Sequence, residues 1–296
     1  MRLKEIYEKK NVCHNRAFEW VKPVISFEVF PPKSNTGGFY GELNKLKEYE
    51  PAFISLTYGA AGKNNTSLEV LYRIKNELRM DLMAHLTCAG SSRGNIEEWL
   101  GEIELLGAEN VLALRGDIPE DCSPGDFRYA SELIRFIKEK TDLSVGAAGY
   151  PEGHIECPDL FADIANLKKK TDAGADVIYT QLFFDNDKFF SYVQLVRDAG
   201  IEVPIIPGIM PVISKKQIER ITSMAKISVP GALLNRIEKF KDNPSDMLKL
   251  GIDFAVIQCQ QLIDAEVSGL HFYTLNKAYS TAQILDNIMG VPNGAE

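Results

Sequence analysis

Eight short apolar runs recur along this chain of 296 residues, and longer segments with helical spacing separate them. Each run ends in glycine, proline or polar residues, which is typical of strands. The predicted strands cover residues 24–30, 53–58, 81–87, 111–114, 144–148, 177–182, 203–207 and 270–273. Apolar strands joined by helices favour a parallel sheet that is covered on both faces. Because such crossovers are right-handed, eight units close into a barrel, and we predict an α/β fold of the (βα)8 TIM barrel type.

No linker, repeat or shift in composition divides the chain. We therefore predict a single domain over residues 1–296, of which 1–22 form a polar N-terminal leader. The connection after the seventh strand is unusually long, and it holds two helical segments at about 215–225 and 244–266. This length predicts an extra helix between strands 7 and 8.

Charge and composition exclude several classes of function. The chain has 33 Lys and Arg against 41 Asp and Glu, a net charge of −8 that repels nucleic acid and anionic membranes. No apolar run approaches the roughly 20 residues that cross a bilayer, and the first residues lack a signal-peptide pattern. Five cysteines stand singly without a CxxC pair, so we predict no metal site and no disulfide framework. A cytoplasmic protein with free thiols is the resulting expectation.

The run VISFEVFPP places one carboxylate, Glu28, inside an otherwise apolar strand. Pro31 and Pro32 end that strand, so Glu28 lies near its carboxyl end, where barrels of this kind build their active sites. Burial disfavours the charged form of a carboxyl group and makes it a candidate general acid near neutral pH. The alternative is an acid that faces water or pairs with a buried cation.

Polar side chains stand at the carboxyl ends of all the predicted strands except the seventh. They are Glu28, Thr57, Tyr58, His85, Thr87, Arg115, Asp117, Tyr150, Glu152, His154, Gln181, Asp185, Tyr273 and Thr274. His85 alone is typical of a hydrogen-bonded core residue, and no second ligand at metal spacing accompanies it. Gln181 can both donate to and accept from the edge of a heterocycle.

Two further patterns allow a nucleotide site without requiring one. In ALRGD, residues 113–117, Gly116 permits a flat ligand to approach the backbone, although an exposed Arg–Asp turn has the same sequence. Asp163, Asn166 and Lys170 lie on one face of a predicted helix. That face is either solvated or turned toward the sugar and phosphates of a dinucleotide. Neither a GxGxxG nor a P-loop motif is present.

Taken in order, nine segments resemble the methylenetetrahydrofolate reductase family. They are SFEVFPP, SLTYGA, AHLTC, ALRGD, GYPEGH, LKKKTDAGAD, TQLFFD, IIPGIMPV and HFYTLN. The resemblance implies a barrel that binds FAD non-covalently. It also implies reduction of 5,10-methylenetetrahydrofolate to 5-methyltetrahydrofolate in one-carbon and methionine metabolism, with NADH or NADPH as electron donor in a ping-pong reaction.

The resemblance also implies roles for individual residues. Glu28 matches the general acid, Asp117 the acid beside pterin and flavin, and Gln181 the pterin-binding glutamine. Substrate contacts fall on Gln181, Tyr273 and Lys277. The pattern of FAD contacts falls on Thr57, Tyr58, Ala60, His85, Arg115, Gly116, Asp117, Tyr129, Tyr150, His154, Asp163, Asn166 and Lys170.

Two positions depart from the family pattern. Lys215 stands where many bacterial members carry a stacking phenylalanine, and Lys277 stands where an arginine is usual. A lysine carries a point charge and has neither an aromatic ring nor a planar fork of donors. The two changes are therefore expected to affect which electron donor is used and how the folate is bound. Two alternatives therefore stay open: a flavin subunit that takes electrons from a partner protein, and a flavin barrel similar to proline dehydrogenase. A homo-oligomer is compatible with each.

Overall fold

The computed structural model describes residues 1–7, 23–32, 36–57, 65–117 and 125–289. Eight parallel strands form a closed barrel in the order of the sequence, with β8 paired to β1. The strands are β1 (Val24–Val29), β2 (Phe53–Leu56), β3 (Leu82–Thr87), β4 (Asn110–Leu114), β5 (Ser144–Gly149), β6 (Val177–Leu182), β7 (Ile205–Ile209) and β8 (Gly269–Tyr273). The predicted barrel is thus confirmed. In the described residues, no helix is long and apolar enough to span a membrane.

Helices cover the outside of the barrel. They are α1 (Thr36–Lys47), α2 (Asn65–Tyr72), a π-helical turn (Arg73–Glu77), α3 (Arg93–Leu105), α4 (Ala130–Lys140), α5 (Leu160–Asp172), α6 (Asn186–Asp198), α7 (Lys215–Met224), α8 (Gly231–Phe240), α9 (Pro244–Asp264) and α10 (Ala278–Ile288). The connection from β7 to β8 holds three helices, α7 to α9, rather than the two segments predicted. Helix α8 was missed because its start, Pro230 and Gly231, has the sequence of a turn.

Strand β7 lies two residues further along the chain than predicted. The sequence pattern predicts Pro207 as the last residue of the strand, yet it lies in the middle. The ladder tolerates it because the register between β6 and β7 is irregular between Tyr179 and Leu182. The next amide, that of Gly208, donates to Oγ1 of Thr180 at 3.0 Å instead of to a strand carbonyl.

Alternation along each strand separates two cores. On β1, Ile25, Phe27 and Val29 face the helices and belong to the large core between strands and helices. Ser26 and Glu28 lie two residues apart on the opposite face, inside the barrel, and both are buried. Strand β1 therefore places two polar side chains inside the barrel.

The first seven residues close the bottom of the barrel, where we had expected only part of a polar leader. Leu3, Ile6 and Tyr7 are buried against inward-facing apolar side chains such as Phe53. Asn110 fixes this N-terminal plug, residues 1–7, because its Oδ1 accepts from the Leu3 amide at 2.8 Å and its Nδ2 donates to the Met1 carbonyl at 3.0 Å. The apolar side chains of the plug thus fill space inside the barrel that the strand residues leave empty.

Replacement of Leu3 by alanine is expected to destabilise the protein by about 2–5 kcal/mol, since the side chain is fully buried and leaves a cavity. Glu5→Ala, on the exposed side of the same segment, is the matched control and is expected to stay within about 0.5 kcal/mol of wild type. Urea unfolding measures both. Equal stability of the two variants would show that the plug does not contribute to the core.

Candidate active site at the barrel mouth

Glu28 lies inside the barrel between two imidazoles. Its Oε2 is 3.5 Å from Nε2 of His85 on β3 and 3.8 Å from Nε2 of His271 on β8. The side chain is 11% exposed, so it is shielded yet still reachable from the mouth. The predicted acid is therefore directed into the barrel and not toward the helices.

A serine holds each imidazole. Ser55 Oγ is 2.7 Å from Nε2 of His85, and Ser26 Oγ is 2.8 Å from Nδ1 of His271. Nε2 of His271 is buried and has no hydrogen-bond partner among the described residues. Buried polar nitrogens are normally paired, so an unpaired one 3.8 Å from Glu28 makes this cluster a candidate for a functional site.

Sequence reasoning missed Ser26, Ser55 and His271. Each occupies an inward position of an apolar strand, and none of them was named as a candidate. A signal was available, since Ser26 and Glu28, and likewise His271 and Tyr273, are polar or amphipathic residues two positions apart on one face. Only the register of the closed barrel shows that Ser26 lies opposite His271.

Burial lowers the pKa of His85, Glu28 opposes this shift and the nearby His271 adds to it, which together give a pKa of about 4. The imidazole is thus neutral at physiological pH. Its contact with Glu28 is consequently one between a carboxyl group and a neutral ring, not a buried ion pair. A neutral ring can exchange a hydrogen bond with either protonation state of the acid.

The mouth above Glu28 brings together residues from three strand ends. A cavity of 230 Å³ is lined by Asp117 after β4, Tyr150 after β5 and Gln181 on β6, among others. Gly116 has a φ of +80°, and a Cβ there would lie 3.0 Å from Cβ of Thr87, so this backbone requires glycine. The tight turn is what places Asp117 at the mouth.

A second cavity of 560 Å³ adjoins the mouth between β4, β5 and α5. Its lining includes seven of the predicted cofactor residues, which are Arg115, Tyr129, Tyr150, His154, Asp163, Asn166 and Lys170. The stripe on α5 therefore lines this cavity, with Asp163 buried and Asn166 exposed at its rim. Cys157, Arg128 and Lys169 also line it and were not predicted.

Lys170 is the central cation of this cavity. Burial lowers its pKa, and the carboxylate of Asp163 opposes that shift. Its ammonium donates to the carbonyl of Ala148 at 2.9 Å and lies 5.5 Å from the ring centroid of Tyr150. Burial also raises the pKa of Tyr150 to about 12, so the phenol stays neutral. A desolvated ammonium of this kind attracts an anion more strongly than an exposed one does.

Arg115 lies at the border of the two cavities. Its guanidinium binds both carboxylate oxygens of Glu156, at 2.5 and 2.7 Å, and lowers the pKa of that acid. The guanidinium of Arg115 is thus oriented by Glu156 in the loop after β5. Asp163 is held on the opposite wall, where burial raises its pKa and the Cys157 thiol lies 3.5 Å away.

The donor set of the 560 Å³ cavity fits a dinucleotide such as FAD. A carboxylate, Asp163, suits ribose hydroxyls, and two cations, Lys170 and Arg115, suit a pyrophosphate. Tyr129 is half exposed at the start of α4 and offers an aromatic face. The site thereby combines a polar wall for sugar and phosphate with flat apolar surface.

The remaining predicted residues lie in several parts of the barrel rather than around one cavity. Tyr273 donates from its hydroxyl to the Thr180 carbonyl at 2.7 Å and lies across the inside of the barrel. Thr57 follows β2, where its amide donates to the Val29 carbonyl at 3.0 Å. Lys277 is exposed directly before α10. Tyr58 and Ala60 lie outside the described residues.

Lys215 is engaged away from the mouth residues just described. Its ammonium is 2.6 Å from Glu238 on α8 and 3.7 Å from Glu219 on its own helix. It therefore connects α7 to α8 as an exposed ion pair, which contributes little stability.

Another cavity, of 670 Å³, lies outside the mouth beside α6 and α7. Two of its charged groups pair: Lys188 binds the carboxylate of Glu152 and also donates to Ser228 Oγ at 2.6 Å. None of the residues predicted for catalysis or cofactor binding lines it. Size alone therefore does not identify the site.

A closed parallel barrel with a buried acid, polar strand ends and an adjoining cation-lined cavity defines a (βα)8-barrel enzyme whose chemistry lies at the carboxyl ends of the strands. A sequence profile described as methylenetetrahydrofolate reductase matches residues 14–289. The chain belongs to that family.

Curated relatives agree with this membership. The 5,10-methylenetetrahydrofolate reductase of Pectobacterium carotovorum is 33% identical over 86% of this chain and 86% of its own length. Methylenetetrahydrofolate reductase 2 of Saccharomyces cerevisiae is 37% identical over 93% of this chain, which spans 48% of that protein. A solved structure from Clostridium thermocellum, described as binding two copies of 5-methyl-5,6,7,8-tetrahydrofolic acid, has a TM-score of 0.60 at 12% identity and covers 96% of this chain and 98% of its own. That last likeness extends to the fold alone.

The neutral state of His85 predicts a pH dependence of stability. In the unfolded chain the imidazole takes up a proton below about pH 6.5, whereas the folded protein resists protonation down to about pH 4. The contribution of His85 to the free energy of unfolding is therefore fully present above about pH 6.5 and is lost as the pH falls. The loss from this one group between pH 7.5 and pH 5 is about 2 kcal/mol.

Denaturant unfolding of wild type and His85→Gln at both pH values measures this difference. The variant cannot take up the proton. Between pH 7.5 and pH 5 its free energy of unfolding is therefore expected to fall by about 2 kcal/mol less than that of wild type. His154, whose pKa burial also lowers, is common to both proteins and cancels in the comparison. Parallel pH curves would contradict a neutral, desolvated His85.

Proposed function

We propose that this protein is a flavin-dependent reductase that converts 5,10-methylenetetrahydrofolate to 5-methyltetrahydrofolate. The observation that supports the proposal is a cavity lined by Asp117 and Gln181 beside a second cavity that holds the partly buried Lys170, with Glu28 near the carboxyl end of β1 in the same barrel. Membership of the methylenetetrahydrofolate reductase family supports the same substrate. The enzyme would act in one-carbon and methionine metabolism.

FAD, when bound, would supply the hydride that the substrate carbon accepts. The residues proposed to hold it are those of the 560 Å³ cavity. Lys170 and Arg115 neutralise the pyrophosphate, and Asp163 accepts hydrogen bonds from ribose hydroxyls. Gly116 allows the backbone between the two cavities to approach a flat ring system.

Reduction of the substrate requires a proton as well as a hydride. The imidazolidine ring opens when its leaving nitrogen is protonated, and the resulting iminium carbon then accepts the hydride. Glu28 is the proposed proton donor, because it is shielded from water and lies at the mouth between two imidazoles. His85 and His271 flank its carboxyl group, and the neutral His85 adds no positive charge there.

The pterin is proposed to bind across the mouth. Gln181 presents an amide that can pair with a heterocycle edge, and Asp117 places a negative charge where positive charge develops during ring opening. Lys277 is the proposed contact for the carboxylates of the folate tail. As a point charge it would bind them with less geometric selectivity than an arginine.

NADH or NADPH is the proposed electron donor. Relatives named as NADH-dependent and NADPH-dependent both occur, in Arabidopsis thaliana and Caenorhabditis elegans respectively. A donor protein is the second candidate, since Lys215 is tied to Glu238 and offers no ring for nicotinamide stacking. Reduction of the flavin by NADH or NADPH in the isolated protein would remove that second candidate.

Replacement of Lys170 by methionine tests the cofactor site. Loss of the buried cation is expected to weaken FAD binding about tenfold to a hundredfold, because a charge-assisted bond to phosphate is lost. Lys168→Met, on the same helix but paired with Asp172 at the surface, is the control and is expected to bind FAD as wild type does. Quenching of flavin fluorescence during titration of the apoprotein measures both. Equal affinities would place the pyrophosphate elsewhere.

Replacement of Glu28 by glutamine tests the acid. Stopped-flow spectroscopy of the flavin separates its reduction by the donor from its reoxidation by methylenetetrahydrofolate. Only the second half-reaction needs a proton on the leaving nitrogen, so we expect it to slow by about 10²–10⁴-fold while the first stays nearly unchanged. Similar losses in both half-reactions would assign Glu28 to binding or folding. Wild-type protein that binds no FAD would overturn the proposed function itself.

A further inference from the structure

The seam between β8 and β1 is completed by a side chain. Asn276, three residues beyond β8, accepts from the Phe30 amide through Oδ1 at 2.7 Å and donates from Nδ2 to the Phe30 carbonyl at 2.8 Å. A carboxamide carries the same donor and acceptor as a peptide group. Asn276 therefore continues the ladder by one residue beyond the end of β1.

The backbone of β8 cannot make this pair itself. Regular pairing ends with Glu28 opposite Tyr273. The Thr274 amide and hydroxyl both donate to the Glu28 carbonyl, at 3.3 and 2.8 Å. The Thr274 carbonyl, which would accept from Phe30 in a continuing parallel ladder, instead accepts from the Lys277 amide at 3.0 Å. The turn thus removes the partner of Phe30, and Asn276 replaces it.

This turn is strained. Leu275 and Asn276 are consecutive non-glycine residues with positive φ, at 51° and 60°. Asparagine tolerates this region, whereas leucine rarely adopts it, and such backbone persists only where surrounding contacts fix it. The two bonds to Phe30 are such contacts. They lie near the surface, where water could satisfy Phe30 equally well, so their effect is on geometry more than on stability.

We propose that Asn276 is a positioning residue for Glu28, an inference that rests on the proposed function. Together with Thr274 it holds the carbonyl of Glu28 and both backbone groups of Phe30. Pro31 and Pro32 have no amide hydrogen, so neither can donate to the ladder after Phe30. The clamp, defined as Thr274 and Asn276 on Phe30 and Glu28, thereby fixes the height at which the carboxyl group faces the substrate.

The same clamp connects the acid to the proposed folate contact. Lys277 follows Asn276 directly, and the next amide, that of Ala278, donates to Glu42 at 2.6 Å. The residue that meets the folate tail and the strand that carries the proton donor are therefore held by one turn. A displacement of about 1 Å at a reacting group can slow a reaction about a hundredfold.

Asn276→Gly is the test variant, since glycine accepts the positive φ and removes only the carboxamide. Stopped-flow reoxidation of the flavin by methylenetetrahydrofolate is expected to slow at least tenfold, with FAD affinity and reduction by the donor unchanged. Hydrogen exchange of peptides within residues 24–30 is expected to quicken. Asn287→Ala is the control, because this exposed side chain bonds only the Gln283 carbonyl of its own helix, at 2.7 Å.

Asn276→Asp is the second variant and keeps the backbone preference and the acceptor for Phe30. It places an oxygen against the Phe30 carbonyl, so it is expected to show the same pattern as glycine. Unchanged exchange in residues 24–30 would overturn the clamp, and faster exchange with unchanged reoxidation would overturn its positioning role. Equal slowing of flavin reduction by the donor and of flavin reoxidation by the folate would also overturn the positioning role. Wild-type protein that cannot reduce the folate would contradict the proposed function, and the exchange measurement would still decide whether the clamp exists.

Discussion

The pairing of β8 with β1 is the constraint on which the site depends. Its register sets Ser26 opposite His271 and Glu28 opposite Tyr273, so residues 245 positions apart in sequence meet as one hydrogen-bonded pair. Closure also removes the sheet edges, and it forces the inward face of every strand into a shared interior. A one-residue slip at this seam would turn Ser26 and Glu28 toward the helices and Phe27 into the barrel. The acid is therefore specified by topology as much as by its own position in the sequence.

The interior of the barrel changes character along its axis. At the bottom, the plug and rings such as Phe53 and Tyr179 form an apolar layer. Above it, the Ser26–His271 and Ser55–His85 pairs form a polar layer, and Glu28 lies between them and the mouth. Burial inside the barrel disfavours the charged imidazole, which is why His85 stays neutral. The closed interior thus keeps a neutral ring beside the acid at the mouth.

The sequence was sufficient for the fold and for much of the mouth. Alternation and proline placed Glu28 at a strand end, and helical spacing placed Asp163 and Lys170 on one face that the structure turns into a cavity. Local patterns failed where distant contacts override them, as at Pro207 within β7 and at Gly231, which starts a helix after proline. Ser26, Ser55 and His271 were missed, because local alternation marks them only as inward-facing, and their pairing depends on which strands become neighbours. The roles of the individual residues stay predictions.

Asn276 shows why such positions escape a search for catalytic groups. Among the described residues its side chain hydrogen-bonds to the backbone of Phe30 alone, and its residue type is ordinary for a turn with positive φ. The consequence arises because that backbone belongs to the end of β1, where the ladder has lost its partner to the turn before α10. A barrel must stop pairing at its mouth so that substrate can enter, yet it must hold the last residues of each strand still. A carboxamide that imitates a peptide group satisfies both needs, since it adds one more pair without extending the wall.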